Sequence, residues 1–160
     1  MKNHRPNLLK SVSCLILSLI LLISCSQEEV LLAELDADLS LLEIRLDQTL
    51  AFGIDFNVDT LKAIQSTARN LQSEKSAVLA QMIDGLLERN DNEKAITHYL
   101  GALELAETSN YDFGQGLLYE YIGKKYKGIG EYNSVSRFFH LSLAKWKSLD
   151  NQLRVGHMYN

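Results

Sequence analysis

Proline is nearly absent from this chain of 160 residues: Pro6 is the only one. Nothing after it carries the ring that removes a backbone donor and breaks a helix. Cysteine is scarce as well, limited to Cys14 and Cys25, which leaves no disulfide framework for a small fold. Few segments alternate polar and apolar residues as half-buried strands do. The chain also lacks a basic cluster able to displace counterions from a phosphate backbone, and its formal net charge is −4, which argues against nucleic acid as a partner. There is no glycine-rich phosphate loop, no Gly-x-Ser-x-Gly elbow and no His-Glu-x-x-His pair. His4, His98, His140 and His157 are not spaced as ligands on one helical face. The expectation is a protein with no cofactor, no metal site and no enzymatic activity.

The apolar residues that are present fall in helical rhythm. Leu32, Leu35, Leu39, Leu42, Leu46 and Thr49 form one stripe, with Glu34, Asp36, Asp38, Glu43 and Asp47 assigned to the opposite, solvated face. The stretch "GIDFNVDT" interrupts it, and Asn57 or Asp59 can cap a second helix carrying Leu61, Ile64, Ala68 and Leu71. Ser73 caps a third, with Val78, Leu79, Met82, Ile83, Leu86 and Leu87 on one buried face. After the polar turn "RNDN", helices are predicted over 93–107, 113–127 and 132–147, with breaks at "TSNYD" and "GIGE". The fold class expected is all-α, with helical hairpins in series.

The first 24 residues have a different character. Lys2, Arg5 and Lys10 precede an apolar core from Val12 to Ile23, diluted by Ser13 and Ser18, and no acid appears before Glu28. That is the layout of a secretory signal, and the core falls short of the roughly 20 apolar residues that span a bilayer. The junction Leu22-Ile23-Ser24-Cys25 resembles the lipobox of bacterial lipoproteins. The resemblance implies cleavage before Cys25, lipidation of its thiol and a membrane anchor; the competing reading is an uncleaved helix in which Cys25 is one more small residue. Losing Lys2, Arg5 and Lys10 with the leader would take the net charge from −4 to −7. Ser26 in place of an aspartate, and the "SQEE" that it opens, resemble signals that send lipoproteins to the outer membrane, on its periplasmic or surface face. A solvated helix start accounts for the two glutamates equally well.

A second pattern lies in the later half. At an offset of 40, Tyr99 aligns with Phe139, Ala102 with Ser142, Leu103 with Leu143, Gly116 with Gly156, Leu118 with Met158 and Tyr119 with Tyr159. Tyr119-x2-Ile122-Gly123-x2-Tyr126, Gly130-Glu131-Tyr132 and Val135-x3-Phe139-x2-Ser142 together resemble the tetratricopeptide repeat. In this reading Gly123 and Ser142 let two helices approach while Tyr119, Tyr126 and Phe139 fill the space between them. The preceding unit keeps Ala95, Tyr99, Ala102 and Leu103 but is read as lacking the glycine of its first helix. The resemblance implies a short solenoid of stacked antiparallel hairpins. The chain is then partitioned into a signal peptide (1–24), N-terminal amphipathic helices (25–72) and repeats (73–160), the last of them incomplete.

The resemblance also implies a peptide-binding concave face lined by the first helix of each repeat. Carried over, its positions are Leu117, Glu120, Lys124 and Lys127 in the best unit and Ala80, Asp84 and Leu87 in the earlier one; a solvated charged face is the plainer alternative. The expected function is a lipid-anchored scaffold of the cell envelope that binds proteins. Its rivals are the sensor part of a longer regulator and a lipoprotein of outer-membrane assembly or glycan capture. Val155, Met158 and Tyr159 lack a following helix in the sequence, so the expectation is a truncated repeat array prone to self-association through that end.

Overall fold

The computed structural model describes residues 33–50 and 57–159. The expected leader, its lipobox-like junction at Cys25, and Asn160 lie outside them. The chain divides into two compact units, one reaching Ser40 and one from Leu41 onward. In the first, residues 33–40 are helical and Leu39 is buried. The second begins with helix α1 (41–50) and continues through α2 (Val58–Asn70), α3 (Glu74–Leu87), α4 (Asn92–Thr108), α5 (Asp112–Gly128), α6 (Tyr132–Ser148) and α7 (Gln152–Tyr159). No strand occurs among the described residues, so the all-α expectation holds. Each helix from α2 to α7 packs against its sequence neighbour.

The capping residues set the helix starts. Asn57 Oδ1 accepts from the Asp59 amide at 2.8 Å, and the Ser73 and Ser76 side chains satisfy each other's backbone N–H groups at 3.1 Å, in the manner of a capping box. Asp91, inside the predicted polar turn, accepts from the Lys94 amide at 2.9 Å. Asn151 does the same for Arg154 at 3.1 Å. Each of these bonds removes one of the orphan donors at a helix start.

The later helices repeat one turn geometry. Helices α4, α5 and α6 are each 17 residues long, and two residues beyond the end of each stands a residue with positive φ: Asn110 (51°), Gly130 (82°) and Asp150 (51°). One residue further on, an amide returns five positions to a carbonyl: Tyr111 to Ala106 at 2.8 Å, Glu131 to Tyr126 at 3.1 Å and Asn151 to Trp146 at 3.0 Å. That bond is the signature of a Schellman stop, which needs the left-handed conformation that glycine, asparagine and aspartate tolerate best. The same stop, recurring every 20 residues, reverses the chain and lays consecutive helices side by side.

Close approach follows from glycine meeting an aromatic ring. A Cβ on Gly123 would lie 2.6 Å from Phe139 Cδ1, and one on Gly116 would lie 2.9 Å from the Trp146 ring. The earlier unit was expected to lack such a glycine, and the structure corrects this. Gly85 sits under the Tyr99 ring with no room for a Cβ, eleven residues into α3 just as Gly123 is eleven residues into α5. The sequence offset hid it because α3 starts 38 residues before α5, whereas α4 starts 40 before α6.

The ring assignment shifts as well. Phe138, not singled out in the sequence, is the buried partner, stacking on Tyr126 at 5.5 Å. Ser142 does more than leave space: its hydroxyl donates to the Gly116 carbonyl at 2.9 Å. At the last helix Leu153 and Tyr159 are 59% and 68% exposed, whereas Arg154 between them is buried.

Overpacking at a glycine of this kind costs about 1–3 kcal/mol. Gly85→Ala is therefore expected to destabilise the domain by about that amount, read from urea unfolding midpoints, and a second substitution, Tyr99→Leu, should recover part of the loss. A Gly85→Ala variant as stable as the parent would show that the ring moves aside freely.

Candidate functional site

Two carboxylates of the second unit, Asp47 and Glu120, converge on Arg154. This side chain, on the first turn of α7, is 1% exposed. Its Nε donates to Asp47 Oδ1 at 2.6 Å, its Nη2 forms an ion pair with the same oxygen, and its Nη1 donates to Glu120 Oε2 at 3.2 Å. Glu120 is itself buried, and its other oxygen accepts from Lys124 Nζ at 2.5 Å. The Arg154 guanidinium also lies 5.6 Å from the Trp146 ring centroid, and Lys124 Nζ lies 4.5 Å over the Tyr121 ring. A buried cation is tolerated only when paired and hydrogen-bonded, and here α1 and α5 each supply a carboxylate.

A second bond fixes the other end of α1. The Tyr111 hydroxyl, at the start of α5, donates to Glu43 Oε1 at 2.7 Å. Burial pushes the Glu43 carboxyl above its ordinary range, against the opposing effects of the Tyr111 bond and the nearby Lys75 charge. The Tyr111 phenol is raised by its own burial and by Glu43. Burial likewise raises Tyr121, with Glu120 adding to it and Arg154 opposing. Residues 41–50 therefore run from the starts of α3 and α5 to the start of α7.

This placement corrects the reading of α1. Glu43 and Asp47 were assigned to the solvated face, but they turn inward beside the leucine stripe, because Tyr111 and Arg154 provide donors there. Leu42 and Leu46 are buried as expected, Leu50, outside the expected stripe, is buried with them, and Thr49 bonds its own helix, donating to the Arg45 carbonyl at 2.8 Å.

The seven positions expected to form one concave face turn toward different neighbours. In α5, Leu117 is fully buried and Glu120 faces Arg154, while Lys124 and Lys127 are exposed. Glu120 and Lys124 pair one helical turn apart, but the acid is buried and shared with Arg154 rather than solvated. In α3, Ala80 is buried, Leu87 is half-buried, and Asp84 accepts from Gln65 at 2.7 Å and pairs with Arg69 at 3.2 Å, both on α2. Ala80 and Asp84 line an open cleft of about 690 Å³ with Arg69, Ser73 and His98. The 38-residue spacing of α3 and α5 makes Met82, not Asp84, the equivalent of Glu120.

Nothing in the residues around Arg154 points to its role. An arginine in an eight-residue helix carries no local sign of burial, and its carboxylate partners lie 34 and 107 residues away. Among the described residues no group of three or more His, Cys, Asp or Glu side chains is placed to hold a metal ion. No described helix is long and apolar enough to cross a membrane. No protein-family profile, curated protein or solved structure matches the chain.

Two outcomes follow from this charge arrangement. Arg154→Met leaves Asp47 and Glu120 without the cation that holds them together, a loss of about 3–5 kcal/mol by the behaviour of broken buried pairs, measurable by chemical unfolding. Glu43→Gln keeps an acceptor for Tyr111 but cannot ionise. Because the folded carboxyl titrates above its ordinary 4.5, the native state holds the proton longer than the unfolded chain. The wild type then loses stability as pH rises through that window and loses none below it. The stability of Glu43→Gln relative to wild type should therefore increase from pH 4 to pH 7, and a flat difference would contradict the buried placement.

Proposed function

We propose that this chain is a lipid-anchored scaffold of the bacterial cell envelope, tethered through Cys25 and binding other proteins through tetratricopeptide-like helical repeats. The observation that carries the repeat part is the 20-residue recurrence of helix and Schellman stop, with a glycine set against an aromatic ring at equivalent depth in α3 and α5. Hairpins of this kind cannot bury their apolar faces alone, so stacked repeats leave an extended ordered surface. The anchor part rests on Leu22-Ile23-Ser24-Cys25, where several acyl chains would hold the protein firmly, at about 0.8 kcal/mol per buried methylene. The membrane in question is the outer one, on its periplasmic or surface side, and the partner is a protein or peptide.

One experiment in cells tests both halves. The full chain, carrying a photo-reactive residue at the exposed Lys127 position, is expressed with a labelled fatty acid, beside a Cys25→Ala version. The expected result is a labelled, membrane-bound wild type that forms a discrete protein adduct on illumination, and an unlabelled variant that leaves the membrane fraction. Equal membrane retention without label in either would favour an uncleaved span, and a labelled chain that forms no adduct would remove the scaffold role.

A further inference from the structure

Residues 42–50 read Leu-Glu-Ile-Arg-Leu-Asp-Gln-Thr-Leu. The buried leucines, Leu42, Leu46 and Leu50, recur four apart, and an acid directly follows each of the first two. Positions four apart share one helical face, so the segment presents a leucine ridge edged by two carboxylates. Those carboxylates meet groups far away in the chain, Glu43 at Tyr111 and Asp47 at Arg154. The segment is therefore seated on a surface built by later helices.

That surface is complementary in charge to what lies on it. Without α1, Arg154 and Lys124 would share the single carboxylate of Glu120, two cations on one acid. Lys75 and the Tyr111 hydroxyl add a positive charge and a donor at the other end. The face that buries Leu42, Leu46 and Leu50 would be short of negative charge at two points one helical turn apart. Asp47 makes up one deficit and Glu43 the other.

We propose that the face formed by α5, α7 and the start of α3 is a binding site for an acidic amphipathic helix of a partner protein, and that α1 occupies it as a built-in competitor. The partner helix carries leucines four apart with a carboxylate after two of them, the pattern of residues 42–50. The inference rests on the protein-binding reading above and names the chemistry of its partner. Seven residues separate Leu50 from Val58, so α1 rebinds at the high effective concentration of a short tether. A partner must exceed that competition, and the affinity seen for it falls by the fraction of chains in which the face is free.

The test uses the full mature chain and a fluorescent peptide with the sequence of residues 33–50, followed by anisotropy. Leu46→Ala loosens the seat of α1 while leaving both partners of Arg154 in place, and Asp47→Asn weakens the charge contact while keeping an acceptor. Both variants are expected to bind the peptide about tenfold or more tightly than the wild type, and a peptide carrying Asp47→Lys should not bind. Hydrogen exchange supplies the second measurement: amides of 41–50 should open more readily than those of α5 and α6, and more so in Leu46→Ala. Variants whose 41–50 amides open freely but bind no peptide would overturn the proposal, as would a segment that opens only with global unfolding. A wild-type dimer exchanging α1 between copies would overturn it in favour of a second copy as the occupant. Should the peptide fail while adducts still form at Lys127 in cells, this inference falls and the scaffold role stands.

Discussion

A guanidinium taken out of water must be neutralised where it sits, and Arg154 meets that requirement with carboxylates from two other helices. Its Asp47 partner is 107 residues away and its Glu120 partner 34. One side chain thus draws α1 and α5 to the start of α7. The bonds are charge-assisted and largely shielded from solvent, which makes them strong once formed and costly to break singly. Lys124, Trp146 and Tyr121 complete the surroundings of this centre and distribute its charge.

The frame on which this centre is mounted depends on a different constraint. Helices joined by the same three-residue stop reverse direction each time, and they can touch closely only where one of them omits a side chain. Gly85 beneath Tyr99 and Gly123 against Phe139 meet that condition at the same depth of their helices. Gly116 against Trp146 meets it again one turn from the start of α5. The corresponding sites in the earlier hairpin hold Val78 and Ala106, both fully buried. Glycine beneath tryptophan is replaced there by two small apolar residues of lower combined volume.

Much of the helical layout was legible because periodicity and capping are local. Asn57, Ser73 and Asp91 mark helix starts by short bonds to their own following backbone, and such bonds depend on residues two or three positions away. Leu42 and Leu46 of the stripe are readable for the same reason. The acids beside it were misread because alternation of polar and apolar residues reports the width of a helix face, not what stands opposite it. Glu43 and Asp47 look like any solvated acids until Tyr111 and Arg154 are brought to them.

The sequence by itself determined the all-α class of the described residues and where most of their helices begin and stop. Local backbone preferences and near-neighbour bonds suffice for the helices. Only the tertiary structure decided that α3 has its own close-approach glycine, that Ala80 and Asp84 turn to α2 while Glu120 turns to Arg154, and that α1 rests on the later helices. Those outcomes rest on a two-residue difference in helix spacing and on one buried charge finding its partners across the length of the domain. Neither leaves a mark within any short window of residues.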